Sequence, residues 1–145
     1  MISWHKLDTF VFENPTFKVE YPDFFTVDTT ELNEGRMSFR YVINGYFVVL
    51  RGFSSPRYEL WDTNSVADSV ESYLAELGND TITMRDLHPG YFYLEGRSKK
   101  NEYKYYEQYV LGDEDIYIFE LAYSPKLTDE QVKRLKELVH EWSPK

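Results

Sequence analysis

The chain has 145 residues, 42% of them hydrophobic and 18% aromatic, with a formal charge of −9 and no cysteine. That length and apolar content suit one domain over residues 1–145 with a single packed core. The acidic balance disfavours phosphate backbones and anionic membrane surfaces, and the missing thiols exclude disulfides, thiolate metal sites and a cysteine nucleophile.

No apolar run reaches the roughly 18 residues that a membrane helix needs. The start, Met1-Ile2-Ser3-Trp4-His5-Lys6, has neither the basic nor the apolar region of a signal peptide. As it stands the chain reads as cytoplasmic, or as extracytoplasmic if an export segment has been removed.

In chain order, Trp4 to Phe12 predicts a first strand and Asn14-Pro15 a turn. Phe17 to Tyr21 alternates and predicts a second strand; Pro22 lacks an N–H and stops it, and Phe24 and Phe25 anchor the next segment. Asp23 is placed to satisfy backbone N–H groups in that turn. Residues 26–36 are polar and end in a turn at Asn33-Glu34-Gly35. Met37 to Val42 and Tyr46 to Gly52 flank Asn44-Gly45, the strongest short hairpin signal.

An irregular loop is expected over 53–63, carrying Phe53, Tyr58 and Trp61. A helix then starts at Ser65, with Asp68 as its capping-box partner. Val66, Val70, Tyr73, Leu74 and Leu77 form its apolar stripe, and Gly78 sits just past its end. Four strands come next, Thr81 to Asp86, Tyr91 to Arg97, Glu102 to Leu111 and Asp115 to Tyr123, with connections short enough to imply antiparallel neighbours. Thr128 with Gln131 caps a terminal helix whose stripe is Val132, Leu135, Leu138, Val139 and Trp142. The order predicts an α+β domain, an antiparallel sheet of about six to eight strands flanked by two main helices.

This pattern resembles the PsbP-like superfamily, which includes an extrinsic subunit of the photosynthetic oxygen-evolving complex, bacterial lipoproteins and a Ran-binding nuclear import factor. The residues that carry the likeness run from Phe17 through Pro22-Asp23-Phe24-Phe25 and the Asn44-Gly45 hairpin into Val48-Val49-Leu50. They continue with the helix from Ser65, Gly90-Tyr91, Tyr105-Tyr106 to Tyr109, Ile116 to Leu121, and Pro125 before the last helix. The resemblance implies an αβα-type sandwich and a non-enzymatic accessory or binding role. The metal-linked residues and long N-terminal arm of the photosynthetic members have no counterpart, so no functional residue carries over.

Motifs for chemistry are sparse. His5, His88 and His140 lack ligand spacing, no Gly-x-Ser-x-Gly elbow or phosphate-binding glycine pattern occurs, and Asp113-Glu114-Asp115 reads as a solvated turn. Arg97, Lys99 and Lys100 form a basic hairpin tip, and Asn79-Asp80-Thr81 matches a glycosylation sequon. No cofactor or metal is expected. The candidate contact surface is aromatic: Phe53, Tyr58 and Trp61 on the loop, with Tyr91, Tyr93 and Tyr105 in tyrosine rows standing beside Glu95 and Glu107. A small ligand or a protein partner would meet it there. The rival readings are an enzyme with a spatially assembled carboxylate/His site, and a structural domain of a larger exported protein.

Overall fold

The computed structural model describes residues 6–57, 62–78, 81–98, 100 and 102–145. Trp4, His5, Tyr58, Trp61, Asn79, Asp80, Lys99 and Asn101, on which several expectations rested, lie outside the described residues.

Alternation and turn chemistry set the first elements. Strands β1 (Leu7–Phe12) and β2 (Phe17–Pro22) pair antiparallel around the Asn14-Pro15 turn and make a separate two-stranded sheet. After Pro22 the chain turns on its own backbone, the Phe25 N–H donating to the Pro22 carbonyl at 3.0 Å. Phe25 is buried, while Phe24 stays at the surface with its ring edge-on to Tyr41. The polar stretch after Phe25 holds an unanticipated edge strand, β3 (Thr26–Asp28). Three residues are too few for a period-two pattern to register.

Strands β4 (Arg36–Ile43) and β5 (Tyr46–Pro56) join at Asn44-Gly45, whose φ values of 52° and 84° are the left-handed pair that a tight hairpin turn requires. β5 continues to Pro56, so Phe53 stands in a strand and not in an irregular loop. The extension is held by pairing with β9 (Asp115–Tyr123), which runs alongside as far as Pro56↔Asp115.

Helix α1 (Thr63–Glu76) begins earlier than expected. Asp62 is the N-cap and accepts from the Ser65 N–H at 2.7 Å, so Ser65 is the capped donor and not the cap. Asp68 pairs instead with Arg85 at 3.0 Å. Gly78 comes directly after the Leu77 C-cap, as the sequence predicts. Strands β6 (Thr81–His88), β7 (Tyr91–Ser98) and β8 (Tyr103–Leu111) precede β9, and α2 (Asp129–His140) carries the Thr128/Gln131 capping box complete. No helix among the described residues is long and apolar enough to cross a membrane.

Among the described residues the main sheet is antiparallel with seven strands in the order β3-β4-β5-β9-β8-β7-β6. The fold is therefore α+β. Strand pleating divides its side chains between two cores. On one face Phe39, Leu50, Phe119, Leu121 and Tyr123 pack with Val132, Leu135 and Val139 of α2 and with Phe12, Phe17 and Val19 of the β1–β2 hairpin. On the other, Phe92, Leu94, Tyr109 and Ile118 pack with Val66, Ala67 and Leu74 of α1. α1 lies against β6 and β7, tied to β6 through Arg85 with Asp68 and Glu71.

Gly96 of β7 lets Tyr105, its cross-strand partner on β8, lie flat over the sheet. A Cβ there would meet the Tyr105 hydroxyl at 2.6 Å and collide with the backbone carbonyl oxygen of Thr81. Gly96→Ala is expected to lower stability by about 1–3 kcal/mol. Adding Tyr105→Phe should restore only part of this, because the Thr81 oxygen is backbone; an unchanged urea midpoint for Gly96→Ala would refute the contact.

Candidate functional site

α1 lies mainly over the β6–β7 side of its face, which leaves a groove over β4, β5, β9 and β8. The groove encloses about 590 Å³ between the helix and the sheet, and its apolar lining includes Phe47, Val49, Phe53, Tyr73, Leu74 and Tyr105. Phe47, Tyr73 and Leu77 at its rim are all exposed.

Polar groups enter the same groove because of register. Arg36, Ser38 and Arg40 alternate along β4 and so share this face. Antiparallel pairing sets Ser38 opposite Arg51, Arg51 opposite Glu120, and Glu120 opposite Glu107, one polar row across four strands. Arg51 donates from Nε to Ser38 Oγ at 3.3 Å and from Nη1 to Glu120 Oε1 at 3.0 Å. Arg40 pairs with Asp28 at 3.2 Å and Arg36 with Glu31 at 3.3 Å. The Arg36 guanidinium also lies 5.7 Å from the Phe53 ring centroid.

Glu107 is 3% exposed, and the Tyr109 hydroxyl donates to its Oε1 at 3.0 Å. Burial raises its carboxyl well above the usual range, with hydrogen bonding to Glu120 and the charge of Glu120 adding to the shift; Tyr109 and Arg51 oppose it. Tyr109 is raised as well, by burial first and then by the charges of Glu107 and Glu120. Glu107 therefore holds its proton where an exposed glutamate is ionised. At the other end, Asp28 is held below the ordinary carboxylate value, first by the backbone N–H of Thr30 and then by its hydroxyl. The groove is thus lined by three guanidiniums and two carboxyls, Glu107 and Glu120, while the partners of Arg36 and Arg40 stand outside the lining, within a chain of formal charge −9.

Of the residues singled out from sequence, Phe53 and Tyr105 meet in this groove. Tyr91 and Tyr93 lie on the opposite face, beside the end of α2. There Tyr93 stacks on His140 at 4.4 Å and donates its hydroxyl proton to the His140 carbonyl at 2.9 Å, and Tyr91 stacks on His88 at 4.7 Å. Burial pushes the Tyr106 phenol, 2.7 Å from His140 Nδ1, up to about 12. Tyr93 and Tyr105 are buried, so no continuous exposed tyrosine row includes them, and Glu107 is buried rather than standing beside one. Both sheet faces carry a helix, which is the physical reason.

Sequence reasoning missed Arg36, Arg40, Arg51 and Glu120. The alternation Arg36-x-Ser38-x-Arg40 was a visible signal for one polar face, but nothing local shows which strand lies opposite. Among the described residues no group of three or more His, Asp or Glu side chains could hold a metal ion. No protein-family model matches the chain, and no curated protein matches it in sequence.

Proposed function

We propose that this is a non-enzymatic binding module, of PsbP-like type by its element order, and that the groove beneath α1 takes a small amphipathic anion. The observation that supports this reading is the convergence of Arg36, Arg40 and Arg51 on an aromatic, apolar cavity in an acidic chain. The apolar body would lie against Phe47, Phe53 and Leu74 and the anionic head against the guanidiniums. Asp28 and Glu31 are not among the lining residues, and ion pairs this exposed are worth only about 0–1 kcal/mol, so an incoming anion can compete for Arg40 and Arg36.

1-Octanesulfonate is a suitable probe because it stays anionic at every working pH. It should raise the melting temperature, whereas 1-octanol at the same concentration should raise it much less. Arg36→Gln and Arg40→Gln should each weaken octanesulfonate binding by about tenfold, since a hydrogen bond to a charged group contributes about 1.5–3 kcal/mol. Failure of octanesulfonate to bind would sink the reading.

An enzymatic reading has one observation in its favour: two neighbouring carboxyls in different environments, Glu107 buried with its carboxyl raised and Glu120 paired with Arg51, a contrast of the kind used for acid–base chemistry. Against it, Glu107 is 3% exposed and its carboxyl is already bonded within the protein.

A further inference from the structure

Glu107 and Glu120 face each other across neighbouring strands and both line the groove. The groups around Glu107 come from every packed element. β8 contributes Tyr109 and Tyr105, β9 contributes Glu120, and β5 contributes Arg51, which reaches on to Ser38 of β4. Leu94 of β7 is its apolar cross-strand partner. α1 presents Val70, Tyr73 and Leu74, while its Asp68 and Glu71 are taken by Arg85 of β6. One guanidinium therefore serves two carboxyls, and a second ionised carboxylate here would stand beside the first with no cation of its own.

Resting on the anion-binding reading of the groove, we propose that Glu107 is its specificity-determining residue: as a neutral acid it keeps the floor at a single negative charge, balanced by Arg51, and so admits an anionic head. When Glu107 ionises, the added charge repels that head and draws Arg51 toward the carboxyl pair. Burial and the neighbouring Glu120 keep Glu107 protonated beyond the range of an ordinary glutamate, which extends the window in which anions are admitted. Anion binding is thereby linked to proton uptake at this residue.

Calorimetric titration of the full chain with 1-octanesulfonate from pH 5.5 to 8.5, in two buffers of different ionisation enthalpy, tests this. The wild type should lose about tenfold or more in affinity across the range and take up protons on binding, as a like charge at the floor demands. Glu107→Gln, which keeps the shape of the neutral acid, should bind with less than about a twofold change and no linked proton. Binding without proton uptake by the wild type, or the same pH dependence in both proteins, overturns the role of Glu107 and leaves the groove reading standing. Should the variant fail to fold, proton uptake by the wild type decides alone. Absence of octanesulfonate binding at every pH overturns the groove reading and this inference with it.

Discussion

Trp142→Ala is expected to lower the stability of the protein by about 3–5 kcal/mol, the range for deleting a buried large aromatic side chain. Trp142 lies just past α2, is 7% exposed, and packs on Phe119 with ring centroids 5.5 Å apart. Its indole Nε1 donates to the Lys18 carbonyl at 2.8 Å, and the Lys18 N–H donates to the Pro144 carbonyl at 2.9 Å. The last residues therefore fasten β2 to the main sheet, and with it the hairpin that closes one core. Buried Gln108, with its amide oriented to satisfy its bonds, donates to the Val139 and Trp142 carbonyls at 2.6 and 3.1 Å. Truncation at Trp142 removes ring, hydrogen bond and hairpin anchor together. Trp142→Phe should retain much of the packing and lose mainly the hydrogen bond, about 1–2 kcal/mol. Urea unfolding of the two variants separates these contributions, and a loss below about 1 kcal/mol for the alanine variant would contradict the anchoring role.

Arg51→Met should cost about 2–3 kcal/mol at neutral pH, and its cost should shrink on acidification. Removing one partner of a fully buried ion pair costs about 3–5 kcal/mol, and the smaller figure allows for solvent at Arg51, whose side chain is 34% exposed against 14% for Glu120. The pH dependence comes from the carboxyl pair. Glu107 is raised in the folded state, so its own contribution to stability is fully present below the unfolded value near 4.5 and is lost as pH rises toward the folded value. A single proton sets the slope in that window at about 1.4 kcal/mol per pH unit. Without Arg51, no cation opposes the charge that Glu107 gains beside Glu120, and the gap between variant and wild type should widen with pH. Chemical denaturation at pH 5 and pH 7.5 checks this. A gap that stays constant would show that Arg51 contributes packing and not charge.

Much of the local architecture could be read from side-chain chemistry. The Thr128/Gln131 box, the Asn44-Gly45 turn and the four-strand run from Thr81 to Tyr123 are short-range signals whose partners lie a few residues away. The start of α1 was misplaced because Asp62 and Ser65 can both cap a helix, and the geometry selects the aspartate as acceptor from the serine N–H. The sequence reading ends β5 at Gly52 and takes 53–63 as a loop, whereas pairing with β9 carries the strand on to Pro56.

The candidate site divides along the same line. Phe53 and Tyr105 were recognisable as aromatic contact residues, and the alternation of β4 placed Arg36, Ser38 and Arg40 on one face. Glu107 and Glu120 meet across the local β8–β9 hairpin, but that this face receives Arg51 beside them depends on β5 pairing with β9, segments dozens of residues apart. The composition and periodicity of this chain determined its α+β class, its acidic balance and its alternating faces, because those depend on neighbours in sequence. Tertiary structure alone decided which face each helix covers, which tyrosines are buried, and that the buried Glu107 shares a groove with three arginines. Burial and charge pairing are properties of residues brought together across the sheet, and no local pattern encodes them.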